Sequence, residues 1–415
     1  MLSRRDLLQT SGAIVPVGMF MPSVFSRAID QIGRDTRYGN PGQAASDRTL
    51  IIVQLAGGND GLNTVIPYSD GHYRTLRPTI GVPESQLLPI SDRVALHAEL
   101  TGLKHLYDQG KVAVMEGVGY DNPSLSHFQA MDIWETADPE LHRQDGWLST
   151  LVEGKVDGNG HPIGSLSLGP TLAPALCCPP TPPPAFANLN SYKLMPDPAF
   201  PKGASAREQA LMKLYQTYAA PAPYAALLES TADSALVSSA QMQEIGSSYQ
   251  PAVPYPQTPV AQGLKLFAAA LKKGIGLRIG YVVLGGFDTH SQQLNQQPRL
   301  LRQLGDALLA FSGDLSAQKL DSNVLTMTWS EFGRRVQENA SRGTDHGTAA
   351  PMFLLGSGVK GGIYGDMPDL TNLDNGNLRH SIDFRSVYAT VIERWLQADS
   401  KSVLGGSYPT LPAVG

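Results

Sequence analysis

The hydrophobic positions of this chain gather into short apolar runs separated by stretches with helical spacing. Leu50 to Leu55, Val112 to Val118, Leu277 to Leu284, Val324 to Trp329 and Met352 to Leu355 are rich in apolar residues and bounded by Gly, Asn, Asp or Pro. Runs of this kind mark strands buried on both faces, as in a parallel sheet. Between them, Leu100 to Tyr107, Leu300 to Leu315 and Phe384 to Leu396 read as helices, the last behind a capping residue, Asp383. Strand alternating with helix predicts an α/β fold, a three-layer α/β/α sandwich on a mostly parallel central sheet. From about Gly154 to Pro259 the pattern changes. A Pro-rich run, Pro170 to Pro184, precedes helical segments near Glu208 to Tyr218 and Tyr224 to Glu244. This interval reads as an insertion, either a cap over one end of the sheet or a packing elaboration.

The N-terminus adds a targeting segment to that picture. Ser3-Arg4-Arg5-Asp6-Leu7-Leu8 is followed by a mildly apolar stretch from Ala13 to Phe25 and a small-residue site at Ser26-Arg27-Ala28. This order reads as a twin-arginine signal over residues 1–28, cleaved after Ala28, leaving residues 29–415 as one domain. The stretch is short and interrupted by Pro16 and Pro22, so a permanent membrane anchor is not expected. The implied partner is the Tat translocase, and the implied location is the periplasm or the outside of the cell. The net charge is −5 and the basic residues are scattered, which argues against a nucleic-acid partner. The two cysteines, Cys177 and Cys178, are adjacent and form no disulfide framework; two buried thiols are the expected state.

Candidate chemistry lies in the loops beside the strands. The first strand runs into Gly57-Gly58-Asn59-Asp60, where glycines let backbone approach a bound group and Asp60 is placed to ligate a cation; plain turn chemistry is the alternative. The second runs into Ser124-Leu125-Ser126-His127-Phe128 ahead of a helical pattern. A hydroxyl at a helix N-terminus sits in the positive end of the dipole, so Ser124 or Ser126 is a candidate nucleophile, or else a helix cap. Further along come Phe287-Asp288-Thr289-His290, Ser330-Glu331-Phe332-Gly333 and Thr344-Asp345-His346-Gly347, each beside a strand. Carboxylates and imidazoles converging at strand ends suit a divalent ion with mixed oxygen and nitrogen ligands.

Taken together with Leu55 to Asn63, Ser126-His127-Phe128, Arg334 and Asp383 to Tyr388, these motifs resemble the Tat-exported bacterial proteins grouped as domain of unknown function fifteen-oh-one. That family is similar in turn to the alkaline phosphatase and sulfatase superfamily. The resemblance implies an α/β/α sandwich with a nucleophile at a helix N-terminus beside one or two divalent ions. It assigns Asp60, Asp288, His290, Glu331 and His346 to metal and Ser126, or Ser124, to the nucleophile. His127 and Arg334 are candidates for orienting substrate, with a structural His and a solvated Arg as the plainer reading. Phe332 stands where the superfamily commonly has His or Asn, and Leu125 where many relatives have Arg. Neither side chain can serve those polar roles, which argues against a complete two-metal phosphatase site. The Cys-x-Pro-x-Arg pattern of formylglycine sulfatases is absent.

Two functions compete on these grounds. One is an exported metal-dependent hydrolase of phosphate or sulfate esters, on small-molecule or polymer substrates in the cell envelope, using zinc, manganese, magnesium or calcium. The other is a non-catalytic exported scaffold or binding protein that retains the fold; the charged residues gathered at strand ends oppose it.

Overall fold

The computed structural model describes residues 48–151, 163–177, 183–193, 204–217 and 225–415. The signal segment and Cys178 lie outside the described residues, and Cys177 is half-buried. The described strands, in chain order, are β1 (Thr49–Ala56), β2 (Val65–Ile66), β3 (Leu87–Pro89), β4 (Ala95–His97), β5 (Val112–Gly119), β6 (Ser165–Leu168), β7 (Ala185–Phe186), β8 (Ile279–Gly285), β9 (Val324–Trp329), β10 (Ala350–Leu355), β11 (Gly362–Tyr364) and β12 (Ile382–Asp383). The described helices are α1 (Gly71–Leu76), α2 (Thr101–Asp108), α3 (His127–Thr136), α4 (Ala204–Thr217), α5 (Ala225–Ser248), α6 (Pro259–Lys273), α7 (Gln293–Ala317), α8 (Phe384–Thr390) and α9 (Ser400–Leu404). Asp383 caps α8 by accepting from the Arg385 N–H, and the helix continues as a wider π turn over Val391–Trp395.

The large sheet is ordered β11-β5-β10-β9-β1-β8-β6-β7, with β12 also beside β5. The pairs β1–β8, β1–β9, β6–β8, β6–β7, β5–β11 and β5–β12 are parallel. Successive residues of β1 point to opposite faces and both faces are covered. Ile51, Val53 and Leu55 join a core with residues of α2, α6 and α7, while Leu50 and Ile52 join a second core with residues of α3 and α8. Two cores on two faces make the three layers, and explain why the strands read as continuous apolar runs.

Two features refine the sequence expectations. The run Met352 to Leu355, expected to be parallel, lies in a strand antiparallel to both β5 and β9. An apolar run buried on both faces specifies burial but not direction. The interval from Gly154 to Pro259 contains α4 and α5 but also supplies β6 and β7 to the sheet. No helix among the described residues is long and apolar enough to cross a membrane.

Candidate functional site

The direction of the strands decides which loops meet. β9, β1 and β8 are adjacent and parallel, and β5 runs the same way because both β5 and β9 are antiparallel to β10. The loops after β1, β5, β8 and β9 therefore emerge at one edge. The loop before β10, which carries His346, arrives there too because β10 is reversed. This carboxyl edge is where open α/β sheets present ligand sites.

Two glycines let these loops close on one another. Gly57 and Gly58 have φ of +118° and +75°, conformations that L side chains rarely adopt. A Cβ on Gly57 would lie 2.4 Å from the Asp288 backbone nitrogen, and one on Gly58 would lie 2.4 Å from the Phe332 ring. The turn thus has its own reason for glycine, independent of any ligand.

At the edge, three imidazoles face one carboxylate oxygen. Asp288 Oδ1 lies 3.1 Å from His290 Nε2, 3.3 Å from His346 Nε2 and 3.6 Å from His127 Nε2. Each ring is held from behind through Nδ1. His127 donates to Glu331 Oε1 at 2.8 Å, His346 to the Leu125 carbonyl at 2.7 Å, and His290 faces Asp345 Oδ1 at 3.3 Å. A carbonyl only accepts, so the proton of neutral His346 is on Nδ1 and its Nε2 lone pair faces the cluster. Glu331 Oε1 also accepts from the Gly57 N–H, which sets His127 the same way. His290 Nε2 and His346 Nε2 are 2.9 Å apart. In the neutral form these facing atoms are all acceptors, and their mutual repulsion is relieved by a proton or a cation. The ligand atoms of His127, Asp288 and His346 lie within 4.8 Å of one another, a spacing that a metal ion can span.

The electrostatics follow from the same contacts. Partial burial pushes the Asp288 carboxyl up, but the Arg334 hydrogen bond and charge, with His346 and His290, outweigh it and hold the group below its ordinary range. The Glu331 hydrogen bond raises His127, burial opposing it, while burial lowers His346. The Asn339 amide donates to Asp345 at 3.0 Å, and this bond together with His290 holds that carboxyl low.

The structure brings His127, Asp288, His290 and His346 together, with Glu331 directly behind His127. Asp60 is not in this group. Its Oδ2 is 2.5 Å from Arg77 Nη1 and accepts from the Gln293 amide, with the side chain almost wholly buried. Ser126 is exposed, occupies the N-cap position of α3 and makes no capping bond with its side chain. Ser124 is half-buried and donates to Gln129 Oε1. Arg334, read from sequence as a solvated residue or a substrate contact, is buried. Its guanidinium reaches the carbonyls of Gly57, Gly58, Phe287 and Thr344 as well as Asp288, so it braces three of the loops. Phe332 is buried against the His127 and His346 rings, with centroids 4.8 and 4.5 Å apart.

The sequence motifs assigned no role to Asp345 or Arg77, and for Arg334 they offered a substrate contact or a solvated residue, not a brace. Adjacency to His346 in Thr344-Asp345-His346-Gly347 was the available signal for Asp345. Arg77 had none.

No match is found among curated proteins. Among solved structures the chain is similar to the lipoteichoic acid synthase LtaP from Listeria monocytogenes, at 8% identity over 85% of this chain and 72% of that one, with a TM-score of 0.36. It is also similar to the PsFucS1 sulfatase from Pseudoalteromonas sp., at 10% identity over 98% of this chain and 72% of that one, TM-score 0.37. A third is the alkaline phosphatase from the Antarctic bacterium TAB5, at 10% identity over 76% of this chain and 94% of that one, TM-score 0.32. The model of one family, described as Protein of unknown function (DUF1501), matches residues 189–403, a span that holds Asp288, His290, Glu331 and His346, and the chain belongs to that family.

Proposed function

We propose that this chain is an exported, metal-dependent hydrolase of phosphate or sulfate esters in the cell envelope, with Ser126 as its nucleophile. The observation that carries the reading is the convergence of three imidazole Nε2 atoms on Asp288 Oδ1, each ring anchored through Nδ1. Histidine ligands backed by carboxylates and carbonyls are the arrangement by which proteins orient imidazoles toward a metal. A donor set of imidazole nitrogens and one carboxylate oxygen fits zinc best and manganese next; magnesium and calcium favour oxygen ligands. When bound, such an ion polarises the ester oxygens and lowers the pKa of the attacking hydroxyl.

The chain's own residues supply the rest. Ser126 lies in sequence between Leu125, whose carbonyl holds His346, and the cluster residue His127. The N–H groups of the first turn of α3 have no acceptor within the helix and favour an anion there. In this reading the Ser126 oxygen attacks phosphorus or sulfur as its proton passes to the ester oxygen, which departs as the alcohol, and water then cleaves the bond to serine, restoring the hydroxyl and releasing the inorganic anion. Arg334 keeps Asp288 ionised and in place. The twin-arginine pattern over residues 1–28 supports export through the Tat translocase, to the periplasm or beyond.

A second reading, a scaffold retaining the fold, is favoured by Asp60, which is sealed against Arg77, and by Phe332, which fills space beside two histidines. Elemental analysis of Tat-exported protein, with a screen of aryl phosphates and sulfates, separates the two. The hydrolase holds stoichiometric metal that Asp288→Ala and His346→Ala lose, and Ser126→Ala keeps the metal but loses turnover. Folded wild type with neither metal nor turnover would establish the scaffold.

A further inference from the structure

We infer that the alcohol portion of the substrate carries a ring with a flat apolar face, aryl or glycosyl, and that Phe128 is the platform on which that ring rests. This rests on the hydrolase reading above and extends it to substrate class.

Phe128 is 82% exposed, whereas every other phenylalanine of the described residues is buried. It follows His127 directly, so its Cα is about 3.8 Å from that of a cluster residue. Its exposure is not isolated. The exposed large hydrophobic residues among those described are Leu125, Phe128, Leu141, Val237, Leu294 and Leu309. The first two flank Ser126 and His127, and Leu294 lies four residues after His290 in the first turn of α7. Half of the exposed apolar side chains thus adjoin, in sequence, a cluster that is otherwise charged and polar.

The two halves of an ester explain this mixture. The anionic half is met by the histidines and the N-terminus of α3, which have no use for exposed apolar neighbours. The other half is an alcohol, and an aromatic face beside the anion site gains by covering the C–H face of a pyranose or the plane of an aryl ring. A flexible alkyl chain covers a phenyl face less completely. A macromolecule seated on Phe128 would cover the residue next in sequence to His127 and two from the exposed Ser126, which makes the substrate itself the better occupant.

The test uses metal-loaded wild type, Phe128→Ala, Phe128→Tyr and Val237→Ala. Each is assayed on phenyl and n-propyl phosphate, on phenyl and n-propyl sulfate, and on a hexose 6-phosphate and 6-sulfate. Phe128→Ala is expected to lower the ring-to-propyl ratio of kcat/KM about tenfold, mainly through KM, which corresponds to losing one aromatic contact. Phe128→Tyr retains the ratio because it keeps the ring face, and Val237→Ala leaves it unchanged. Comparing the phenyl and hexose arms identifies which ring the site takes. Equal loss on ring and propyl esters, or no change, would overturn the inference while leaving the hydrolase standing. Wild type that turns over none of these esters would overturn both.

Discussion

Asp60 and Asp288 follow glycine turns at the ends of two neighbouring strands, β1 and β8, and each meets a buried arginine. Arg77 reaches Asp60 at 2.5 Å and is itself held by the carbonyls of Val336 and Arg335. Arg334 reaches Asp288 at 2.7 Å. The guanidinium is therefore not what separates them. The side chain of Asp60 is 1% exposed and its other hydrogen bond comes from a neutral amide, whereas that of Asp288 is 48% exposed and faces three imidazoles. Asp60 uses Oδ2 for one guanidinium and one amide, its Oδ1 is buried without a hydrogen-bond partner among the described residues, and it presents almost no surface to solvent. A carboxylate that shares its guanidinium with lone-pair donors and solvent is equipped to take a ligand. Strand-end position and residue type are the same in both cases; the remaining neighbours assign the role.

The largest expected effect breaks the structural half of this pair. Arg77→Met leaves the Asp60 carboxylate buried without a cation, and should cost about 3–5 kcal/mol in urea unfolding. Adding Asp60→Leu should recover part of the loss, since a buried pair replaced by apolar groups can be nearly neutral. A near-neutral Arg77→Met would mean that Asp60 is not held as described.

Next, Glu331→Gln removes the charge behind His127 and should weaken metal binding about 10–100-fold by competitive chelation, the usual cost of losing such a partner. Asp60→Asn should leave metal affinity unchanged. Metal loss in Asp60→Asn would merge the two regions into one site.

Glu116 sharpens the comparison as an acid with neither kind of partner. It is buried in β5, its Oε1 finds no hydrogen bond among the described residues, and burial pushes its carboxyl from 4.5 up to about 8. The folded chain keeps this proton to higher pH than the unfolded chain. Its contribution to stability is thus complete below about 4.5 and is lost as pH rises through about 8. Glu116→Gln should reduce that decline, bringing the urea midpoints at pH 5.5 and 8.5 closer together. An unchanged gap would place the pH dependence elsewhere.

The smallest effect on stability is expected for Asp288→Ala, below about 1 kcal/mol, because the side chain is half exposed. Arg334 also keeps the carbonyls of Gly57, Gly58, Phe287 and Thr344. A loss as large as that of Arg77→Met would make Asp288 a structural residue as well.

The sequence by itself determined the layers and most of the edge. The runs from Leu50 to Leu55 and from Val324 to Trp329 lie in β1 and β9, because burial on both faces imposes a composition that can be read locally. The motifs around His127, Asp288, His290 and His346 stood beside strands, and these side chains meet. Tertiary structure alone decided the direction of β10. An apolar run reads the same both ways, yet only the reversed strand brings His346, which precedes it, to the carboxyl edge. It also decided the partners of the two acids at the ends of β1 and β9. Arg77 is 17 residues from Asp60 and Gln293 is 233 away, while Glu331 meets His127 across 204 residues. Local propensity carries no record of such pairings, because they form only when packed elements bring distant side chains into a shared low-dielectric space, where a polar group left without a partner is costly.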